Sequence, residues 1–273
     1  MSAPLGLAAL TVLDTAPLQQ IDLAEKHGFD TVGIRLLPAA PRTTAYPVHT
    51  DPAALDTLIR RLADSPVEVF DLEIIRLGTD FNAAAYEPLL EAGARLGAKA
   101  VLVGGDDRDR ARLTDSYARL ADLCGRYGIV ASLEFMPWTA VPNARAAVEI
   151  VSQADGPARS VLVDALHVAR SATTLDDLAA IPREWLHYAQ MCDGAVPAPT
   201  DDAELIRHAR EERRVPGEGG IALADIWSTL PADLPISVEL PNEPQRRAVG
   251  TGPWLDHLVA ATRRVLSVAQ VAP

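Results

Sequence analysis

Short apolar runs alternate along the whole chain with segments whose apolar residues recur at helical spacing. Most of these runs are about five to eight residues long, which is typical of buried strands. They predict eight strands, over Leu5–Leu13, Thr31–Leu37, Val67–Ile74, Ala98–Val103, Ile129–Phe135, Ser160–Leu166, Leu186–Cys192 and Ile236–Leu240. The periodic segments predict helices near Leu18–His27, Pro52–Ala63, Ala83–Leu96, Arg110–Tyr127, Ala144–Gln153, Thr174–Ala180, Leu223–Thr229 and Trp254–Ala269.

Residues suited to helix ends mark two of these boundaries. Gly28 is placed to end the first helix in a left-handed conformation, which glycine adopts without steric cost. Asp51 and Pro52 are typical of an N-cap and of the first helical position. We therefore expect the second helix to begin at Pro52.

The alternation of strands and helices predicts an α/β protein with a parallel sheet. Eight βα units in 273 residues average about 34 residues each, close to one repeat with its connection. We predict one domain over residues 1–273, folded as an eight-stranded (β/α)8 TIM barrel, with Gly194–Gly220 as an elaborated loop after the seventh strand. A doubly wound open sheet is the alternative, because alternation alone does not distinguish it from a barrel. Against it, no GxGxxG or GxxxxGK[ST] motif follows the first strand.

Charge and cysteine content narrow the function classes. The formal net charge of −12 disfavours a nucleic-acid partner, whose phosphates require a basic surface, and equally an acidic membrane surface. The two cysteines, Cys124 and Cys192, form no CxxC pair, and the N-terminus lacks the basic segment of a signal peptide. We expect a cytoplasmic protein. Association into a homodimer or a homotetramer is compatible with these features.

Four oxygen-bearing side chains lie near the C-terminal ends of the last four predicted strands: Glu134, Asp164, Gln190 and Glu239. Apolar strands normally exclude carboxylates, because burying an unpaired one costs several kcal/mol. In a barrel these positions surround the mouth where active sites form. Three carboxylates and an amide oxygen favour one divalent metal ion, Mn²⁺ or Mg²⁺ first, with Zn²⁺ or Co²⁺ as alternatives.

These residues resemble the metal site of the xylose-isomerase-like barrels. That family includes sugar and sugar-phosphate isomerases and epimerases, hydroxypyruvate isomerase, inosose dehydratase and 3-dehydroshikimate dehydratase. The matching residues here are Glu134, Asp164 within Asp164-Ala-Leu-His167, Gln190, and Glu239. The family commonly has His at the position of Gln190, whereas Gln is similar to what hydroxypyruvate isomerase and the dehydroshikimate dehydratases carry there. The segment Arg213-Arg-Val-Pro-Gly-Glu-Gly219 is similar to the family's Arg-x-x-Pro-Gly-x-Gly loop, whose Arg commonly contacts a substrate oxygen.

Further residues are candidates for substrate contact or catalysis. His167 would contact substrate if a turn re-aims it after Asp164, and Trp138 would supply an aromatic wall for the C–H face of a polyol or ring. Arg35, Arg213 and Arg214 would hold a carboxylate or phosphate. Asp71 and Glu73 share one face of the third strand and are weaker catalytic candidates. Asp193 is expected to orient the loop or a ligand, and Cys192 to be a buried structural thiol.

The resemblance implies an enzyme of carbohydrate metabolism with a polyhydroxy or keto-acid substrate. In the first hypothesis an isomerase or epimerase uses Glu134 and Glu239 to remove and return a proton through an enediolate. In the second, a dehydratase expels a β-hydroxyl group, with His167 or a Glu as the proton relay. The third hypothesis is a non-catalytic metabolite-binding barrel. A relative that cuts abasic DNA would require more His ligands and a basic face than this chain has.

Overall fold

The structure, a computed structural model, describes residues 3–269. Eight parallel strands follow one another in order around a closed barrel, and β1 completes the circle by pairing with β8. The strands are β1 Leu5–Leu7, β2 Thr31–Arg35, β3 Glu68–Leu77, β4 Ala100–Gly105, β5 Val130–Glu134, β6 Arg159–Asp164, β7 Ala189–Met191 and β8 Ile236–Val238. The predicted (β/α)8 TIM barrel is therefore confirmed, and the open sheet is excluded.

Helices surround the barrel; they lie between consecutive strands, and the last two follow β8. They are α1 Pro17–His27, α2 Pro52–Ala63, α3 Glu87–Leu96, α4 Arg110–Arg126, α5 Ala144–Val151, α6 Ala165–Arg170, α7 Leu175–Ala179, α8 Asp202–Glu211, α9 Leu223–Thr229, α10 Glu243–Val249 and α11 Thr251–Ala269. Gly28 ends α1 with φ 76°, and the Asp51 carboxylate accepts from the backbone N–H groups of Ala53 and Ala54, as predicted. None of the helices in residues 3–269 is long and apolar enough to cross a membrane.

Several element boundaries differ from the predictions for identifiable reasons. The first strand ends at Leu7, because the next residues form a 3-10 turn over Ala9–Val12. The sixth strand ends at Asp164 rather than Leu166, since the carboxylate of Asp164 caps α6 and turns the chain into a helix. The predicted loop Gly194–Gly220 contains α8, a ten-residue helix.

Apolar residues fill the space both outside and inside the barrel. Alternate positions of β4 show this division: Val101 and Val103 belong to the large cluster packed against the helices, whereas Ala100 and Leu102 belong to a small inner cluster with Tyr188. The inner cluster occupies only part of the lumen. Other inward positions carry the hydrogen-bonded pair Ser132 and Ser160 and the charged residues of the candidate site.

The register of β3 is irregular at two places, between Val32 and Gly33 of its partner and between its own Leu72 and Ile75. Such bulges re-aim side chains, and here they accompany two acidic residues, Asp71 and Glu73, that are fully buried. A Cβ atom at Gly33 would lie 2.7 Å from an Asp71 carboxylate oxygen. Glycine at this position therefore leaves the room that the Asp71 side chain occupies.

Candidate active site

The four side chains predicted as metal ligands all lie at the C-terminal mouth of the barrel. Glu134 is the last residue of β5, Asp164 is the last of β6, Gln190 is in β7 and Glu239 follows β8 directly. Their exposed fractions range from 0 to 4%. Parallel strands bring their C-terminal ends to one edge of the barrel, which explains why residues so distant in sequence share one site.

Arg213 links two of these residues. Its guanidinium lies 2.5 Å from Asp164 Oδ2 and 2.7 Å from Glu239 Oε2, and its side chain is 2% exposed. The amide nitrogen of Gln190 donates to Glu239 Oε1 at 3.1 Å. Three of the four predicted ligands are thus connected through direct contacts to one another or to Arg213.

His167 faces the fourth predicted ligand. The Asp164 carboxylate accepts hydrogen bonds from the backbone N–H groups of Leu166 and His167, and this cap starts α6. The helical turn places His167 Nε2 at 3.4 Å from Glu134 Oε1. Trp138 packs edge-on against the His167 ring, with 5.2 Å between ring centroids. The turn needed to re-aim His167 towards the site is therefore present.

The donor set fits a divalent cation. Ligand atoms of Glu134, Asp164 and His167 lie within 4.8 Å of one another. The side-chain oxygen of Gln190 is buried and has no hydrogen-bond partner among residues 3–269, so an acceptor at the site is left unused. His167 joins this group although the predicted ligand set did not include it.

The balance of buried charge also favours a cation at this site. Five carboxylates and two guanidiniums are buried in the barrel. If all of them were ionised, three negative charges would lack a compensating positive charge. The groups are Asp71, Glu73, Glu134, Asp164, Glu239, Arg35 and Arg213. Buried charges require pairing or metal coordination. A dication would remove most of this excess.

The pKa values respond to the same imbalance. Burial, together with the carboxylates of Glu134 and Glu73, raises the pKa of Glu239 well above its usual range against the opposing effect of Arg213. Burial opposes ionisation of Asp164 too, but Arg213 and His167 outweigh it and lower the pKa of that carboxyl. The pKa of Arg213 is raised by its two carboxylate partners despite burial.

Glu73 and Arg35 form a buried ion pair beside the site. Arg35 Nε lies 2.9 Å from Glu73 Oε2, and Glu73 Oε1 accepts from the backbone N–H of Ala9 at 3.0 Å. Arg35 also lies in the electrostatic field of Glu239 and Glu134. Glu73 therefore holds the Arg35 guanidinium beside the predicted ligands.

Asp71 lies in the same buried region without such a partner. Both of its oxygens lack a hydrogen bond among the described residues, and the nearby Tyr188 hydroxyl does not reach it with hydrogen-bond geometry. Burial and the neighbouring Glu73 carboxylate raise the pKa of Asp71 well above its usual range. These surroundings favour the protonated form of the Asp71 carboxyl.

Asp193 organises the loop that carries Arg213. Its carboxylate accepts from four backbone N–H groups, those of Gly194, Gly217, Gly219 and Ile221. A Cβ atom at Gly219 would lie 2.2 Å from the Asp193 carboxylate, so this position of the Pro-Gly-x-Gly segment requires glycine. The orienting role predicted for Asp193 corresponds to these contacts.

The two residues beside Asp193 and Arg213 have different surroundings. Arg214 pairs through its backbone with Asp193, and its side chain is exposed and does not line the cavity at the barrel mouth. Cys192 is buried against Arg213, and burial raises the pKa of its thiol to about 12. The structure therefore brings Arg213 into the site and leaves Arg214 outside it.

A cavity of about 320 Å³ opens at the barrel mouth. Among the predicted residues that line it are Arg35, Glu134, Trp138, His167 and Glu239. Arg76 from β3 and Arg210 from α8 also line it, and neither was predicted from the sequence. Arg210 lies in the segment Gly194–Gly220, which was predicted as a loop. The only signal in the sequence for the helix that carries Arg210 was the amphipathic pattern of α8.

Comparisons with known proteins agree with this architecture. The family model described as xylose isomerase-like TIM barrel matches residues 21–261. The IolI protein with a bound zinc atom superimposes with a TM-score of 0.80 at 20% identity, covering 98% of both chains. D-psicose 3-epimerase from Clostridium cellulolyticum H10, in complex with D-tagatose, superimposes with a TM-score of 0.70 at 18% identity, covering 98% of this chain and 99% of that one. At these identities the superpositions show a shared fold.

A curated relative is 3-dehydroshikimate dehydratase from Pseudomonas putida. It is 27% identical over 144 residues, which are 51% of this chain and 22% of that protein. The chain thus spans only about a fifth of that relative's length. Because the family model matches most of its residues, the chain belongs to the xylose isomerase-like TIM barrel family.

Proposed function

We propose that this protein is a divalent-metal-dependent isomerase or epimerase that acts on a small sugar or hydroxy-keto compound. The observation that carries the proposal is the placement of two buried carboxylates, Glu134 and Glu239, on different strands around one cavity. Proton transfer next to a carbonyl requires a base and an acid positioned on the same substrate. Glu134 and Glu239, at the ends of two strands, would serve as this base and this acid.

The carboxylates have different surroundings, which suits them to different roles. Glu134 lies beside His167, with 3.4 Å between Glu134 Oε1 and His167 Nε2. Glu239 accepts from Gln190 and pairs with Arg213. In the proposed reaction Glu134 takes up the proton from the carbon next to the carbonyl, which gives an enediolate, and Glu239 in its protonated form donates its own proton to the neighbouring carbon or to the opposite face.

Glu134, Asp164, Gln190 and Glu239 would hold the metal ion, with His167 within reach. When bound, a divalent ion polarises the carbonyl oxygen and acidifies the adjacent C–H and O–H groups. Trp138 supplies an apolar wall to the cavity, and the buried walls around Glu134 exclude water from the reacting centre. Mn²⁺ or Mg²⁺ suits the oxygen donors, and Zn²⁺ or Co²⁺ suits a set that includes His167.

A dehydratase is the second candidate, favoured by the similarity to the dehydratase from Pseudomonas putida. It would use the same first step, because loss of a β-hydroxyl also begins with removal of a proton next to a carbonyl. His167 would then protonate the departing hydroxyl from its position beside Glu134 and Trp138. The two reactions therefore diverge only after the proton has been removed.

Incubation in D₂O separates the candidates. The purified protein with Mn²⁺ is offered hydroxypyruvate, ketoses, inososes and 3-dehydroshikimate, and products are monitored by ultraviolet absorbance and NMR. Deuterium at a carbon next to a retained carbonyl indicates isomerisation or epimerisation, whereas the absorbance of a new conjugated product indicates dehydration. If neither change occurs with any substrate, or if Glu239→Gln leaves the change intact, the proposed chemistry is wrong.

A further inference from the structure

Four arginines line the cavity at the barrel mouth, and three of them are already paired with carboxylates. Arg35 pairs with Glu73, Arg76 with Asp106, and Arg213 with Asp164 and Glu239. The fourth, Arg210, makes no ion pair or side-chain hydrogen bond with any residue in the 3–269 range. A positively charged group is therefore available on the wall of the cavity.

Two other arginines, Arg76 and Arg35, act on Arg210 through their charges. Arg210 is exposed as a residue, although its guanidinium is partly buried. This burial and the positive charges of Arg76 and Arg35 lower the pKa of Arg210. The carboxylates of Asp106 and Glu211 only partly oppose this lowering of the pKa, and neither forms an ion pair with Arg210. The guanidinium thus lacks a counterion within the described part of the chain.

We propose that Arg210 binds a carboxylate of the substrate, which makes the substrate a small hydroxy-keto acid rather than a neutral sugar. This inference rests on the proposed function, in which Glu134, His167 and Glu239 act on the reacting end of the substrate. The cavity volume of about 320 Å³ and its lining by both Arg210 and Glu239 allow one small molecule to contact both ends. Arg210 is then a specificity-determining residue.

The position of Arg210 favours a carboxylate over a phosphate. Arg210 lies in the last turn of α8, and the C-terminal end of a helix carries partial negative charge that disfavours a dianion. Phosphate sites commonly use backbone N–H groups at a helix N-terminus, which this end does not offer. A single free guanidinium matches a carboxylate in a planar, bidentate pair.

The test uses two probes that differ only at the proposed contact. Hydroxypyruvate and dihydroxyacetone share the hydroxyketone, but the first has a carboxylate where the second has a CH₂OH group. Binding of each is measured by NMR titration in the presence of Mn²⁺ with wild-type protein, Arg210→Gln and Arg210→Lys. The matched control is Arg207→Gln, which removes an arginine of the same helix that pairs with Glu204 and Glu212 and does not line the cavity.

We expect the wild type to prefer the acid, and Arg210→Gln to weaken acid binding at least about tenfold while leaving the alcohol unchanged, a difference of about 1.4 kcal/mol. Arg210→Lys should keep part of the preference, and Arg207→Gln should keep all of it. The proposal is overturned if the wild type shows no preference for the acid, or if the preference survives in Arg210→Gln, because the carboxylate then binds elsewhere.

Turnover in the D₂O assay distinguishes failure of this inference from failure of the proposed function. If Arg210→Gln loses the acid preference but no substrate is converted, the binding role stands and the proposed reaction fails. If substrate is converted equally well by wild type and Arg210→Gln, the proposed reaction stands and the role of Arg210 fails.

Discussion

The contacts of Arg213 predict a strong, metal-dependent effect on stability when this residue is replaced. Arg213 is buried and compensates two carboxylates at once, and it donates further hydrogen bonds to the backbone oxygens of Ala209 and Glu239. In Arg213→Gln, Asp164 and Glu239 would keep their burial and lose their cation. We expect the metal-free variant to be markedly less stable than the wild type.

The size of the effect depends on the burial of the pair. Removing one partner of a buried ion pair costs about 3–5 kcal/mol, because the remaining charge is left uncompensated. For a chain of 273 residues each kcal/mol lowers the unfolding temperature by roughly 2 °C, so we expect a decrease of roughly 6–10 °C. A bound dication would replace the lost positive charge. Mn²⁺ should therefore stabilise Arg213→Gln more than it stabilises the wild type.

Thermal unfolding monitored by circular dichroism, with EDTA and with Mn²⁺, measures both effects. Arg207→Gln is the control, since its exposed ion pairs on α8 should contribute about 1 kcal/mol or less. Two results would contradict this role of Arg213. One is an unfolding temperature of metal-free Arg213→Gln equal to that of the wild type, and the other is a metal-induced increase no larger than in the wild type.

Three further predictions concern the acidic residues and the metal. Glu239→Gln should lower turnover by about 10²–10⁴-fold with an unchanged circular dichroism spectrum, and near-normal turnover would remove Glu239 from its proposed role. EDTA should abolish turnover and Mn²⁺ should restore it, whereas activity that persists after exhaustive chelation contradicts metal dependence. Asp71 has a raised folded-state pKa, so the folded state binds the extra proton and stability falls as pH rises above the ordinary value of 3.8. Asp71→Asn should remove this loss of stability. In urea titrations of metal-free protein, the variant should be more stable than the wild type at neutral pH and no more stable at pH values below 3.8. Parallel pH profiles of the two proteins would show that Asp71 ionises normally.

Local periodicity was sufficient to predict the strands that carry the site. The apolar run before Glu134 and the run before Asp164 are short, end in a carboxylate and repeat one βα unit apart, and both features are properties of neighbouring residues. The same holds for the caps at Gly28, which has no Cβ to oppose a positive φ, and at Asp51, whose own carboxylate accepts the capping hydrogen bonds. These signals act over a few residues and can be recognised in the sequence.

Other features depend on contacts between distant segments. Arg213 meets Asp164 across 49 residues and Glu239 across 26, so its role in the charge balance requires closure of the barrel and the loop that Asp193 holds. The bulges of β3 that accompany the buried Asp71 depend on pairing with two other strands. No local pattern in β3 records those partners.

Side-chain alternation predicted a parallel α/β fold, and chain length together with the missing nucleotide-binding motif favoured a barrel, because these signals lie in neighbouring residues. Closure of the sheet and several strand ends were decided by the tertiary structure. Only the tertiary structure decided which charged side chains pair with one another. That arrangement placed His167 beside Glu134, assigned Arg213 to Asp164 and Glu239, and left Arg210 without a partner among the described residues at the cavity. Electrostatic pairing depends on distance in space and on burial, and neither quantity can be read from separation along the chain.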